Sequence, residues 1–213
     1  ISETTKNTFI GECKFLRAFG YFTLVRLFGP VSLVEIEFTS PNQIAGYDFS
    51  RKPVEDVYNF IINDLTEAER LLPATIPANK GKISVGAVKT LLGKVYLTRH
   101  EYDKAASKLK EVIDMNAYSL VDDYGSLFSE GNDDMPESIF EIEFASGNIG
   151  EGNNFAHHFY PNVVKMEVFP RLKLGGGRCV PGVYLMVAYE ENDLRKDQSV
   201  GHLLPMMEGN FSE

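Results

Sequence analysis

The chain has 213 residues, 44% of them apolar, enough for one domain or two small ones with a sizeable core, and this excludes disorder as the main state. With 21 basic against 30 acidic residues the net charge is −9, the wrong sign for a surface that neutralises phosphates, so no nucleic acid is expected as a partner. The longest apolar runs, Phe19 to Phe28 and Gly182 to Tyr189, fall well short of the roughly 18 residues needed to cross a bilayer.

From about Glu12 to Phe28, the residues Phe15, Leu16, Ala18, Phe19, Phe22, Val25 and Leu27 cover most of a helical surface, and Gly29-Pro30 stops it. The pattern predicts a helix buried on more than one side. Residues 30–52 carry Pro30, Pro41 and Gly46 among β-branched and aromatic residues, which predicts an insertion of extended chain and turns. Pro53 then opens a helix over 54–72, with Val57, Phe60, Ile61, Leu65, Ala68 and Leu71-Leu72 at three- and four-residue steps, closed by Pro73. A polar loop over 74–82 leads to helices from about Ser84 to Arg99 and from Tyr102 to Met115, whose short joint makes them an antiparallel hairpin. Alternation of Phe140, Ile142 and Phe144 with Glu141 and Glu143 predicts a strand over 138–144. From Ala145 on, frequent glycines and few charges predict a loop-rich region.

The hairpin at 85–117 fits a stacked helix-pair repeat of about 34 residues, the tetratricopeptide type, which sets large and small side chains at fixed steps. Leu92, Gly93, Tyr96, Tyr102, Ala105, Leu109, Val112 and Ala117 fall on those steps. Gly93 and Ala105 are small where two helices would cross, and Tyr96 and Leu109 can fill the gaps beside them. Three positions depart from the pattern: Lys89 stands at the first aromatic, His100 at the turn glycine and Ala117 at the final proline. Ala18 with Tyr21, and Ala68 with Leu72, repeat two of the same steps, so 12–28 and 54–72 are expected to form the halves of another repeat around the 30–52 insertion.

Several runs resemble the SusD/RagB family of Bacteroidota: Cys13-Lys-Phe-Leu-Arg-Ala-Phe-Gly-Tyr-Phe-Thr-Leu-Val-Arg-Leu-Phe-Gly-Pro-Val, Val57-Tyr-Asn-Phe-Ile-Ile-Asn-Asp-Leu-Thr-Glu-Ala and Leu71-Leu-Pro. Leu91-Leu-Gly-Lys-Val-Tyr-Leu, Tyr102-Asp-Lys-Ala, Tyr118-Ser-Leu with Tyr124 and Leu127-Phe128, and Glu137-Ser-Ile-Phe-Glu-Ile extend the resemblance over about 1–145. Pro181 with Leu185, Tyr189, Asp193 and Arg195 resembles a later family block, in which a proline precedes a helix ending in Asp-x-Arg. The resemblance implies a mostly α fold, with tetratricopeptide-like pairs, an irregular insertion and a loop-rich C-terminal region with few strands. It divides the chain into a helical region, 1–145, and the start of the family's C-terminal half, 146–213. It also implies a lipid-anchored, surface-exposed outer-membrane protein that captures glycan without catalysis and delivers it to a SusC-like TonB-dependent transporter. Family members are usually more than twice this length, and the opening Ile1-Ser2-Glu3 has no export signal, so the chain reads as a fragment or processed form.

Candidate chemistry is sparse. Cys13 and Cys179 lie far apart in no zinc-like spacing and read as plain thiols; Cys13 sits within a helix and is no lipidation cysteine. Glu141 and Glu143 would stand about 7 Å apart on one strand face, a glycosidase-like span, but a solvated strand face is the stronger reading, and no third acid follows in a Glu-x-Asp-x-x-Glu pattern. Adjacent His157 and His158 would point apart in an extended chain, and Asp122, Asp123, Asp133 and Asp134 lack calcium-loop spacing. No cofactor and no resident metal is expected, and a structural calcium is left open. Sugar recognition needs flat aromatic faces beside amides, carboxylates and guanidinium groups. The 30–52 insertion offers Asn42 and Tyr47, and the glycine-rich region offers Asn153, Phe155, His158, Tyr160 and Arg171, which are the candidate glycan-binding residues. The rival reading is a helical-repeat scaffold that binds only a protein partner.

Overall fold

The computed structural model describes residues 1–128, 132–144 and 183–199. Its described part is built from helices: α1 (Glu3–Phe28), α2 (Pro41–Gly46), α3 (Val54–Leu71), α4 (Val85–Thr98), α5 (Tyr102–Asp114), α6 (Val183–Ala188) and α7 (Arg195–Ser199), with a 3₁₀ turn at Tyr124–Phe128. Two compact units emerge, one of Ile1–Leu120 with Pro136–Glu141, the other of Val121–Met135 with Ile142–Glu213. Among the described residues, no helix is long and apolar enough to cross a membrane.

In the first unit α1 packs on α3, α3 on α4, and α4 on α5, which is the succession of stacked helix pairs that the repeat steps predict. The shared core runs through Phe15, Ala18 and Phe22 of α1, Val57, Ile61, Leu65 and Ala68 of α3, and Val88, Leu92 and Val95 of α4. Gly93 is small for a stated reason: a β-carbon there would lie 2.7 Å from the Leu109 side chain of α5. Ala105 is buried, as the pattern requires. His100, at the position where the repeat takes glycine, does adopt the glycine-favoured backbone, with φ of 61°. Its ring compensates in part, with Nδ1 2.9 Å from the Tyr102 hydroxyl and the two rings edge to face.

Four expectations are corrected. Helix α1 begins nine residues earlier than its apolar periodicity, because Ser2 caps it by accepting the Thr5 N–H at 3.1 Å, a signal that needs no apolar face. It is buried on one face only, formed by Gly11, Phe15, Ala18, Phe22 and Val25, while Leu16 and Leu27 are exposed. The insertion holds one helical segment, α2, where Pro41 supplies the preset φ of a first helical position. Residues 138–144 do not form a strand. The Glu141 N–H bonds to the Lys80 carbonyl at 3.1 Å, but among the described residues no neighbouring segment supplies a ladder, so alternation alone does not make the element. Phe140 still turns inward, edge to face with Phe15 at 5.3 Å, whereas Ile142 and Phe144 are exposed.

Candidate functional site

The insertion between α1 and α3 is braced from inside. At its base the Lys52 N–H donates to the Val31 carbonyl at 2.9 Å, the one isolated bridge among the described residues. The Tyr21 hydroxyl of α1 accepts the Val34 N–H at 2.7 Å and ties the outgoing arm of the loop to the helical layer. Within the loop, Tyr47 donates its hydroxyl to the Leu33 carbonyl at 2.8 Å, and Ser32 donates to the Phe49 carbonyl. Gln43 on α2 accepts from both the backbone N–H and the hydroxyl of Thr39, at 2.7 and 3.1 Å. Asp48 gathers the Lys52 ammonium and the Ser50 N–H and hydroxyl, each at 2.8 Å. The ammonium, followed by the Ser50 donors, holds its carboxyl well below the usual carboxylate range.

Three aromatic rings close the loop on itself. Phe38, Tyr47 and Phe49 meet pairwise with centroids 5.0 to 5.8 Å apart, mostly edge to face. Tyr47 is half-buried and its hydroxyl is spent on Leu33, so it serves first as a brace. Phe49 remains 45% exposed, and Asn42 lies exposed on α2. The insertion therefore offers a rigid aromatic rim with an amide nearby in sequence, fixed by hydrogen bonds that need no ligand. The sequence pattern points to Tyr47 and not to Phe38 or Phe49. Their clustering could have been suspected from three aromatics within twelve residues of turn-rich chain.

The helical layer is held by paired charges. Asp64 sits on the apolar face of α3 and is fully buried. Arg17 of α1 clamps it through Nε and Nη2 at 2.7 and 2.8 Å, and Lys14 adds a contact at 3.1 Å. The pairing with Asp64 raises the Arg17 guanidinium above its ordinary range. Lys89, at the departure from the repeat's first aromatic, bridges Glu69 of α3 at 3.3 Å and Glu111 of α5, while Lys108 reaches the same two carboxylates at 3.2 and 3.1 Å. This four-charge square borders a cleft of about 420 Å³ floored by Ala74, Ile76, Val85 and Met115. Its charges are mutually satisfied, so it stitches three helices and presents no poised acid, base or nucleophile. Lys89 is the first influence holding the Glu111 carboxyl below its ordinary range, with burial opposing and Lys108 assisting.

In the second unit, the residues of the later block come together as a cleft of about 350 Å³ lined by Tyr124, Leu185, Tyr189, Asp193 and Arg195. Arg195 donates to Asp193 through Nε and Nη2 at 2.9 and 2.6 Å and brings its carboxyl down to about 2. The helix of this block ends at Ala188, before Asp-x-Arg; Asp193 follows in irregular chain and Arg195 opens α7. Cys13 is an exposed free thiol. Asn153, Phe155, His158, Tyr160 and Arg171, with His157 and Cys179, lie outside the described residues. Glu141 accepts the Ser138 hydroxyl at 2.6 Å, and the strand face on which it was expected to stand beside Glu143 is not formed.

The SusD-like family model described as "Starch-binding associating with outer membrane" matches residues 1–97, the span that holds α1, the insertion, α3 and most of α4. A SusD-like protein, P2, of Formosa agariphila is 32% identical over 146 residues, covering 67% of this chain and 28% of that protein. A solved SusD superfamily protein from Parabacteroides distasonis shares the fold with a TM-score of 0.76 at 30% identity, over 92% of this chain and 42% of that one. The chain belongs to the SusD-like family. Another solved SusD-like protein, described as laminarin binding, matches with a TM-score of 0.57 at 34% identity, over 62% of this chain and 30% of its own. The chain spans 28% of the length of each of the first two curated SusD-like relatives it matches. The mostly helical architecture with tetratricopeptide-like pairs is that of the family.

Proposed function

We propose that this chain is part of a surface glycan-capture protein of the outer membrane, lipid-anchored, which holds an oligosaccharide and passes it to a SusC-like TonB-dependent transporter without cleaving it. The observation that carries the reading is the match of the braced helical layer to a solved SusD-like protein that binds laminarin, a carbohydrate. The family is carbohydrate-binding and not catalytic, in keeping with charge networks here that are mutually satisfied. Recognition is assigned to the insertion and to the segment whose glycine-rich sequence reads as loop, since binding residues concentrate in loops. Asn42 and Tyr47 of the insertion, together with Asn153, Phe155, His158, Tyr160 and Arg171, are the proposed contacts. An aromatic face would stack on sugar C–H surfaces while amides, imidazole and guanidinium bond the hydroxyls. Because Tyr47 spends its hydroxyl inside the loop, its contribution would be its ring, alongside Phe49. The test is calorimetric titration of the intact protein with laminarin and a panel of other soluble polysaccharides. Tyr160→Ala and Phe155→Ala are expected to weaken binding by about 1–2 kcal/mol each, the scale of an aromatic contact. Unaltered affinity in both would remove the site from those residues.

A further inference from the structure

The second unit holds an ion pair whose two ends are unequally placed. The Asp193 side chain is 14% exposed and that of Arg195 65%. Local sequence fixes this arrangement. The Asp193 N–H donates to the Glu190 carbonyl at 3.2 Å across a turn in which Asn192 takes φ of 70°, a backbone that asparagine tolerates. Past the turn, the Arg195 N–H donates to Asp193 Oδ1 at 3.0 Å, while its side chain grips both carboxylate oxygens. A surface ion pair contributes little to stability, so stability is a weak reason for so fixed a geometry.

The pair does not use up its bonding capacity. Asp193 takes Nε and Nη2 of the guanidinium fork, and Nη1 makes no bond to a described residue. The carboxylate, which Arg195 brings down to about 2 and so keeps ionised, accepts three bonds of the about four it can take. Donor and acceptor sit side by side, the arrangement that satisfies a hydroxyl, which is both. Pairing with Asp193 raises the Arg195 guanidinium above its ordinary range; Tyr189 and Tyr124 push the same way, so both phenols lie near the cation.

The lining says what kind of ligand fits. Two phenol rings with Leu185 and Ala188 supply an apolar surface, and the ion pair supplies hydroxyl-matched polar groups whose charges cancel. A pyranose ring has both characters, C–H groups on its faces and hydroxyls at its edge. A carboxylated sugar would meet the Asp193 charge as well as that of Arg195, so the cleft suits an uncharged one. Its 350 Å³ stands at the lower end of the roughly 300–1,000 Å³ of small-molecule sites, the scale of one or two rings.

We propose that this cleft is a subsite for a neutral sugar ring of the captured glycan, with Tyr124 and Tyr189 against its C–H surface and Arg195 Nη1 and Asp193 bonding adjacent hydroxyls. The proposal rests on the glycan-capture reading and adds Tyr124, Tyr189, Asp193 and Arg195 to its contacts. The experiment labels the arginines of the intact protein with phenylglyoxal, with and without laminarin, xyloglucan or polygalacturonate, and follows Arg195 by peptide mass. A neutral polysaccharide that binds in calorimetry, present at about ten times its Kd, should slow labelling of Arg195 roughly ten-fold and leave exposed Arg70 at its ligand-free rate. Arg195→Lys keeps the charge but loses the planar fork, and should weaken binding of the same polysaccharide about ten-fold. Tyr189→Ala should weaken it as much; if that variant does not fold, Tyr189→Phe, which keeps the ring and loses the hydroxyl, should weaken it about five-fold. Binding that leaves Arg195 labelling unchanged, equal slowing at Arg195 and Arg70, or parent affinity in Arg195→Lys overturns the subsite and leaves glycan capture standing. Protection by polygalacturonate alone overturns the assignment to a neutral sugar. If no polysaccharide binds, glycan capture fails and the subsite with it.

Discussion

Replacing Gly86 with alanine tests the packing of the helical layer where its geometry is tightest. Gly86 lies in the first turn of α4, and a β-carbon there would fall 2.2 Å from Tyr118 Oη, 2.8 Å from Cε2 and 2.9 Å from Cζ. These atoms belong to one rigid ring that cannot slide aside by turning a terminal bond. The ring must move as a body, which strains its bond to Ser84 Oγ at 3.0 Å and its contact with the Lys80 ammonium, 5.0 Å from the centroid. The hydrogen bond is worth about 1 kcal/mol and the cation–ring contact about 0.5–1. Overpacking adds about 1–3 kcal/mol, while alanine gains back at most about 1 in helix propensity. Gly86→Ala should therefore destabilise the first unit by about 2 kcal/mol, read as a lower denaturation midpoint at unchanged slope by circular dichroism. In a Tyr118→Ala background the same change should instead stabilise by about 0.5–1 kcal/mol, because only the propensity gain survives. Equal destabilisation in both backgrounds would refute the steric reasoning.

Asp64→Asn leaves Arg17 and Lys14 without their shared carboxylate. The expected loss is about 2 kcal/mol, below the range for a fully buried pair because both cations can reach water, and a midpoint within error of the parent would count against the clamp. His100→Gly should stabilise by about 0.5–1 kcal/mol, read as a higher denaturation midpoint, since glycine holds a φ of 61° without the strain of a side chain; a lower midpoint would mean that the Tyr102 contact dominates. Lys89 depresses the Glu111 carboxyl in the folded state, so that pairing stabilises above the ordinary glutamate value and is lost as pH falls through the lower folded one. Stability of the parent should decline as pH drops below about 4.3, and more steeply than in Glu111→Gln; parallel pH profiles would contradict this.

The sequence announced the helices wherever apolar periodicity coincided with a repeat step. Gly93 and Leu109 could be paired on paper because the two-helix repeat requires a small residue facing a large one, and the structure places them in contact. Elements defined by something other than periodicity were harder to read. The first turns of α1 rest on the Ser2 cap, and α2 rests on the fixed φ of Pro41. The alternation at 138–144 misled because a strand is a property of two segments, and one segment's pattern cannot reveal a missing partner. Asp64 went unnoticed although it interrupts the Val57, Ile61, Leu65, Ala68 face, and a carboxylate on an apolar face is itself a sign of a cation opposite. At the candidate site, the aromatic content of the insertion was legible. That Tyr47 is committed to Leu33 was not, because a hydroxyl's partner in an irregular loop has no sequence period.

Glycan capture without cleavage is tested most directly by titrating the intact protein with laminarin and a polysaccharide panel while assaying the same mixtures for newly released reducing ends. Saturable binding of at least one polysaccharide, with no rise in reducing ends over the protein-free control, is the expected result. Absence of binding across the panel, with stable capture of a protein partner instead, would contradict the account in favour of a helical scaffold. Release of sugar that disappears in Glu141→Gln would contradict it in favour of hydrolysis.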